Sequence, residues 1–357
     1  KLLSLKNRNK AINTFKEYLS DPLLTNKAVE FYINSFSIYD ISLSYVVSDA
    51  LFRISKHLSS NLKAAYINPD NILVAHVALM LNKTNPLARM QIASYYMQLG
   101  DYNTALQNLS MVPKQDFYYR LLYPQISKTL LELGQKNKAA EVLSIAYNQD
   151  TSNPEPLLEL GHLYYKQNNN NKAIGYYTDA LNIAKENNQT LGIWLSYYFR
   201  GIAYNKANNW DKAEKDLINA LNLNNKDPIL LNYLGYSWID RGINIDKGLA
   251  LIRTALQKDS NNPNFLDSYA WGLFKKGNYT EALKIALKAK EALPLDFLIN
   301  SHLGDIYWKL NDKNKAQSYW RASLNMNPDI QTKYDLEDKL NNKLPDYLKI
   351  VSNYNNI

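Results

Sequence analysis

Apolar and small residues recur along the chain with the spacing of amphipathic helices, and the pattern repeats about every 34 residues. Three related phrases show the period: Leu160–Tyr164, Leu234–Trp238 and Leu303–Tyr307 each begin with Leu-Gly. A small residue within an Ala-rich stretch follows each phrase after nine to ten residues. With each Gly at repeat position 8, repeats begin at 86, 120, 154, 194, 228, 263 and 297. The pattern predicts seven pairs of helices.

Small residues align in columns of this repeat, and two antiparallel helices approach closely only where the side chains between them are small. Position 8 holds Ala93, Ser127, Gly161, Gly201, Gly235, Ala270 and Gly304. Position 20 holds Ala105, Ala139, Ala173, Ala213, Gly248, Ala282 and Ala316. We therefore expect the two helices of each repeat to cross at these columns.

Turn residues separate the predicted helices. Gly100, Gly134 and Gly277 lie where the first helix of a pair ends, as a C-cap glycine does. Prolines lie between repeats, next to helix N-termini, where proline is tolerated. Together with the columns, these features resemble the tetratricopeptide repeat, a helix–turn–helix unit of 34 residues. The resemblance implies an all-α fold, a right-handed superhelical solenoid of helix–turn–helix hairpins.

The ends of the chain are less regular than the middle. Residues 1–85 predict irregular helical hairpins, with a partial repeat at 8–20. Residues 86–328 hold the seven repeats, and a polar helix at 329–343 is expected to cap the last one. Residues 344–357 read as a tail.

Composition excludes several kinds of chemistry. The chain has no Cys, which excludes disulfides, Cys-based zinc sites and Cys nucleophiles. Its four His residues are far apart in the sequence, and no phosphate-binding glycine motif occurs. Asp267 and Asp305 occupy neighbouring groove positions, but an open groove does not desolvate a catalytic carboxylate pair. We expect solvated or ligand-contacting Asp side chains, no catalysis, and no cofactor or metal.

The groove lined by the first helices is where function is expected. In this fold repeat positions 2, 5, 9, 12 and 13 of the first helices face the concave surface. From the fourth repeat onward we expect a partner-binding groove of Tyr198, Asn232, Tyr236, Asp240, Asp267, Trp271, Ser301, Asp305 and Trp308. Aromatic, Asn and Asp side chains suit a protein or extended peptide, through stacking and hydrogen bonds to its backbone. Position 13 adds a line of cations: Lys166, Lys206, Lys275 and Lys309.

Two other functions remain as alternatives. A cytoplasmic co-chaperone would resemble repeat domains with a carboxylate clamp of Lys at position 5 and Asn at position 9, and no repeat here has that pair. A helical-repeat nucleic-acid-binding protein would need a code of side chains at fixed positions. Position 5 shows no such code, and acidic groove residues repel phosphate, so no nucleic acid is expected as a partner.

The C-terminal third carries a more specific resemblance, in the segments Leu231–Gly242, Asp246–Ile252, Leu266–Trp271, His302–Trp308 and Tyr319–Leu324. Their order is similar to the end of proteobacterial envelope tetratricopeptide proteins, which are often lipoproteins. Some of these are adaptors that dock a carboxyl-terminal processing protease or cell-wall hydrolases. The resemblance implies a location in the periplasm or at the inner face of the outer membrane, with the cytoplasm as the alternative. Membrane attachment is expected only through a lipid anchor removed from upstream of Lys1, and the oligomeric state stays open.

Overall fold

The computed structural model describes residues 72, 75–76, 78–80, 82–113, 117–341 and 343–348. The partial repeat predicted at 8–20 and nearly all of the irregular hairpins lie outside these residues, as does the end of the tail. The described residues are helical and contain no β-strand, which confirms the all-α prediction.

From Pro86 onward, the described residues form seven successive helix pairs, and one further helix follows them. The helices are α1 (Pro86–Gln98), α2 (Tyr102–Ser110), α3 (Tyr123–Glu132), α4 (Lys136–Gln149), α5 (Glu155–Lys166), α6 (Asn170–Glu186), α7 (Thr190–Lys206), α8 (Trp210–Leu223), α9 (Pro228–Asp240), α10 (Ile245–Lys258), α11 (Pro263–Lys275), α12 (Tyr279–Ala292), α13 (Phe297–Lys309), α14 (Lys313–Leu324) and α15 (Ile330–Leu340). Two 3₁₀-helices, Phe117–Leu122 and Asp346–Leu348, precede α3 and follow α15. The extra residues of the third repeat lengthen α6 and α7 to 17 residues each.

Local sequence explains where these helices begin and end. Asp227, Asn262 and Asp296 accept hydrogen bonds from backbone N–H groups in the first turns of α9, α11 and α13. Between the helices of a pair the chain needs a left-handed residue, and Gly100, Gly134, Gly242 and Gly277 supply it with φ of 70–83°. In three other pairs Asn takes this role, at Asn168, Asn208 and Asn311. Asn also has positive φ at Asn244, in the same turn as Gly242, and at Asn188 and Asn327 between repeats.

The small-residue columns lie where the helices of each pair meet, as expected. Every Ala of the position 20 column is fully buried. The backbones of α9 and α10 approach closely: a Cβ on Gly235 would lie 2.7 Å from the carbonyl oxygen of Gly248. Only two glycines permit this crossing without moving a backbone.

The chain divides within α6, between Ile183 and Ala184, into two compact units. In the second unit the largest apolar cluster runs from Ile239 on α9 to Leu348 in the last 3₁₀-helix. Leu336 of α15 is fully buried in it, so α15 covers apolar side chains of the last repeat. No helix in the described part of the chain is long and apolar enough to cross a bilayer.

Candidate functional site

The predicted groove residues lie on α7, α9, α11 and α13, the first helices of four successive repeats in the second unit. They differ sharply in exposure. On α7 and α9, Tyr198, Asn232 and Tyr236 are half-buried and Asp240 is exposed; we call these four residues the open half. On α11 and α13 all five predicted residues are buried: Asp267, Trp271, Ser301, Asp305 and Trp308. We call these five the covered half.

Asp267 is paired, not solvated. It is 4% exposed, and its carboxylate oxygens lie 2.9 and 3.0 Å from Nδ1 of His302 on α13. The indole of Trp271 stacks on the imidazole of His302, with ring centroids 4.2 Å apart and planes within 12°. The expectation of a solvated or ligand-contacting Asp267 is therefore wrong, because a His one repeat further on occupies both carboxylate oxygens.

The charge of His302 follows from its neighbours. Burial alone lowers the pKa of this imidazole, but the Asp267 carboxylate and its hydrogen bond raise it, and Asp305 raises it further. Lys339 opposes them, and the net result is a pKa above the ordinary 6.5. The Asp267–His302 pair therefore favours an ion pair inside the repeat stack.

Asp305 is the second buried carboxylate, 1% exposed, and three donors surround it. Lys339 Nζ of α15 lies 3.0 Å from it, Trp320 Nε1 of α14 donates at 2.8 Å, and the Tyr347 hydroxyl donates at 3.0 Å. Lys339, 2% exposed, also pairs with Asp335 at 2.7 Å. The expectation of an open Asp305 is also wrong: α15 and the segment after it cover this carboxylate.

Trp271 belongs to a compact aromatic group. It stacks on Phe274 at 4.7 Å and meets the edge of Tyr347 at 6.0 Å. Its Nε1 donates to Asp240 Oδ1 at 3.3 Å, which joins the covered half to the open half. Lys275 Nζ lies 5.0 Å from the ring centroid of Trp271 and 5.1 Å from that of Tyr347, so one cation makes a cation–π contact with both rings.

Ser301 and Trp308 are buried among other side chains of the repeat stack. Ser301 is 4% exposed. The Trp308 indole lies 5.4 Å from that of Trp320, and Lys313 Nζ lies over it at 5.4 Å. Its buried Nε1 has no hydrogen-bond acceptor among the described residues. Neither side chain faces a partner in this arrangement.

The open half keeps groups that a partner could use. Asn232 Oδ1 is an acceptor without a hydrogen-bond donor among the described residues. Tyr198 meets the edge of Tyr233 at 6.2 Å, which fixes the ring on the surface of α7. Burial, with Asp240 and Asp267 nearby, raises the pKa of Tyr236 well above 10, so its hydroxyl remains a donor at any physiological pH. A fixed aromatic ring, an amide acceptor, a hydroxyl and a carboxylate together suit a peptide backbone and its side chains.

Reasoning from the sequence missed Lys339 and Tyr347. The signal for Lys339 was present: it lies three residues after Leu336 and next to Leu340, on the apolar side of α15. A cation at such a position requires a buried anion, and Asp305 is that anion. Tyr347 lies in residues 344–357, which the sequence predicts to be a tail, and the repeat pattern gives no information about this segment.

A metal site is not among the arrangements seen: the described residues hold no group of three or more His, Asp or Glu side chains that could bind an ion. His162 in the first unit is also separate from any such group. Its Nδ1 lies 3.8 Å from Glu159 Oε1, and its ring meets that of Tyr177 edge-on. Burial, and to a smaller extent the positive charge of Lys166, lowers the pKa of His162 to about 4. A neutral packing histidine has these properties.

Known proteins agree with this architecture. Family models described as tetratricopeptide repeat match residues 157–190 and 299–330. A TPR repeat-containing protein of Pseudomonas aeruginosa is 27% identical over 212 residues, 57% of this chain, and the chain spans about a third (34%) of that protein's length.

Solved structures with the same fold include a tetratricopeptide repeat protein from Parabacteroides merdae, with a TM-score of 0.53 and 18% identity over 70% of this chain and 95% of that one. The Cut9–Hcn1 hetero-tetramer of the APC/C has a TM-score of 0.57 and 16% identity, over 89% of this chain and 59% of that one. Yeast Tom70 has a TM-score of 0.54 and 16% identity, over 94% of this chain and 72% of that one. At these identities the likeness concerns the fold.

Stacked helix pairs in the described residues define a helical-repeat fold. The segments 157–190 and 299–330 match tetratricopeptide-repeat models, and tetratricopeptide-repeat proteins act as protein-interaction scaffolds.

Proposed function

We propose that the chain is a non-catalytic scaffold that binds an extended segment of a protein partner along α7 and α9. The observation that carries this proposal is the open half, where Tyr198, Asn232 and Tyr236 are only half-buried, Asp240 is exposed, and the buried Asn232 Oδ1 lacks a hydrogen-bond donor among the described residues. The buried pairs of the covered half hold α11 and α13 in place beside them. Rigid support of this kind lowers the cost of ordering the surface when a partner binds.

The partner chemistry follows from the groups of the open half. Asn232 Oδ1 is buried without a donor among the described residues, so a peptide N–H that reaches it would supply the missing hydrogen bond, and the half-buried Tyr198 ring can pack on an apolar or aromatic side chain. Asp240 favours a basic group. A half-buried aromatic ring, an amide acceptor and one carboxylate suit a protein ligand.

We place the protein in the bacterial envelope, in the periplasm or at the inner face of the outer membrane, where it serves as an adaptor for a processing protease or cell-wall enzymes. The support is the resemblance of residues 228–329 to envelope adaptors. Fractionation of the native host, followed by detection with an antiserum, tests the location. Recovery with the cytosolic marker would contradict it and favour the co-chaperone alternative.

Affinity capture from a native-host extract tests the binding surface. The full chain serves as bait, beside Tyr198→Ala and Asn232→Ala. Aromatic anchors often contribute 2 kcal/mol or more, so we expect Tyr198→Ala to reduce the recovered partner by at least five-fold. The matched control is Lys284→Ala on the exposed side of α12, which is expected to change nothing.

Two results would overturn the proposal. Equal recovery with both groove variants would place the partner surface elsewhere. Enzymatic turnover that survives repurification, or stoichiometric bound zinc in elemental analysis, would contradict a non-catalytic role.

A further inference from the structure

The segment that follows α15 lies on the covered half of the groove. Its 3₁₀-helix, Asp346–Leu348, contacts α13, and Leu348 is fully buried in the apolar cluster of the second unit. Tyr347 contacts residues of both α11 and α13. The concave positions of the last two repeats are thus occupied by the chain itself.

The surroundings of Tyr347 match a tyrosine side chain group by group. Trp271 and Phe274 meet its ring edge-on, with centroids 6.0 and 6.2 Å away. Lys275 and Lys339 lie over the ring at 5.1 and 5.8 Å. The hydroxyl donates to Asp305 Oδ2 at 3.0 Å. We call this set of five neighbours the tyrosine pocket.

Each part of the tyrosine pocket selects for tyrosine over other side chains. A buried carboxylate needs a donor, which Phe lacks, and a charge-assisted hydrogen bond is stronger than a neutral one. Cations above and beside the ring favour an electron-rich aromatic. A phosphorylated tyrosine would bring its charge against Asp305 and is disfavoured.

Apart from Tyr347, the segment is held by Leu348, which is fully buried, by Leu344, which packs on the same apolar cluster, and by few backbone hydrogen bonds. A three-residue 3₁₀-helix contains one backbone hydrogen bond, from Leu348 N–H to the Pro345 carbonyl at 2.9 Å. Lys343 N–H donates to the Asp338 carbonyl at 2.8 Å, which ties the start of the segment to α15. Tyr347 remains 36% exposed, so its ring lies at the pocket's surface, whereas release of the whole segment also uncovers the site of Leu348 in the apolar cluster.

The pocket also continues into the open half. Trp271 Nε1 donates to Asp240 Oδ1, and Lys275 Nζ donates to the Asp240 carbonyl at 3.3 Å. An extended chain bound along α9 therefore reaches the tyrosine pocket next.

We propose that the tyrosine pocket is a docking site for an extended partner segment carrying a Tyr followed by an apolar residue, and that residues 345–348 are a resident occupant that competes with it. This inference rests on the proposed function and adds the anchor residue of the partner and a built-in competitor. A tethered segment competes at an effective concentration of about millimolar. The apparent affinity for an outside ligand equals the intrinsic affinity multiplied by the fraction of time that the pocket is free.

The test uses a fluorescein-labelled synthetic peptide of residues 341–348 as the probe and fluorescence polarisation as the readout. Binding is compared between the full wild-type chain and the full Tyr347→Ala chain. We expect the dissociation constant to be at least ten-fold lower for Tyr347→Ala, because the competitor is lost. Circular dichroism checks that both chains keep the same helical content.

Controls assign the binding to the pocket. In the Tyr347→Ala background, Lys275→Ala should weaken the peptide at least five-fold, whereas Lys276→Ala, which pairs with Asp246 instead, should not. A peptide with Phe in place of its Tyr should bind at least five-fold more weakly. Light scattering at the assay concentration should show the same mass for both chains.

Several outcomes would overturn the inference. Equal peptide affinity for the two chains would show that residues 345–348 do not compete, and no binding to Tyr347→Ala would show that the pocket takes no free segment. Equal affinity of the Phe peptide would remove the role of Asp305. A wild-type dimer lost in Tyr347→Ala would make the occupant a second copy of the chain. None of these results bears on the capture experiment with Tyr198 and Asn232, so the two proposals fail separately.

Discussion

At the scale of single residues, the second unit stands out for ionised groups inside its repeat stack. Asp267 with His302, and Asp305 with Lys339, are all at most 5% exposed. Removing a charge from water costs several kcal/mol, and only a well-placed partner offsets it. The first pair joins two repeats and the second joins the last repeat to α15, so a wrong stacking register would leave a charge unpaired.

We expect Lys339→Ala to lower the free energy of unfolding of the second unit by about 3–5 kcal/mol, because it leaves Asp305 buried without its cation. The double variant Asp305→Asn/Lys339→Met should recover most of that loss, since the buried charge is then removed and the remaining Asp335 carboxylate is partly exposed to water. Urea denaturation followed by tryptophan fluorescence measures both. Equal stability of the single and double variants would contradict the argument.

The two described repeat histidines should respond to pH in opposite ways. The pKa of His302 is raised in the fold, so the proton it binds stabilises the native state below pH 6.5, and this contribution is lost as pH rises through the raised pKa. His302→Gln should therefore cost most stability at pH 6 and least at pH 9. Urea denaturation at a series of pH values tests this, and a loss independent of pH would argue against an ionised pair.

The matched comparison is His162, whose pKa of about 4 lies below that of an unfolded histidine. Here the unfolded chain takes up the proton first, so stability falls as pH drops from 6.5 towards 4. His162→Gln should remove this part of the acid sensitivity, and NMR titration of the imidazole should give the low pKa directly.

At the scale of helices, the sequence predicts the fold well because repetition averages out local ambiguity. One small residue says little, but seven at one position fix where the helices of a pair cross. The exposure of groove residues was not predictable in this way. Whether Asp305 is open depends on Lys339 and Tyr347, which lie outside the repeats and have no counterpart in other repeats to compare with.

The crossing of α9 and α10 allows a direct test of this packing. Gly235→Ala places a Cβ against the Gly248 carbonyl, and a backbone cannot rotate away as a side chain can. We expect a net loss of about 1–3 kcal/mol in thermal or urea unfolding. Gly175 is exposed on α6, and a Cβ added there has no atom within 4 Å. Gly175→Ala should therefore stabilise the protein by about 0.5–1 kcal/mol, because Ala has a higher helix propensity than Gly. A gain at both positions would contradict the close crossing.

At the scale of the whole molecule, stability should be local, because repeats interact mainly with their neighbours in sequence. The strongest helix contacts are within pairs and between adjacent pairs. Perturbing one repeat should therefore loosen its surroundings and leave distant repeats unchanged.

Hydrogen exchange measured by mass spectrometry checks this expectation with Gly235→Ala. Exchange should rise in α9 and α10 and less in α8 and α11, while α3 and α4 keep their wild-type protection. A uniform rise across the described helices would show that the chain unfolds as one cooperative unit.

The left-handed turns have a consequence for the gene. Every non-glycine residue with positive φ in the described chain is Asn. Asn codons are rich in adenine and thymine, whereas Gly codons begin with two guanines, and Asn is the residue after Gly that best tolerates this conformation. A coding sequence drifting towards adenine and thymine can thus exchange Gly for Asn at hairpin turns and keep each turn. The tightly packed crossings at Gly235 and Gly304 leave no such freedom, so mutational bias should erode glycine from the turns first and from the helix contacts last.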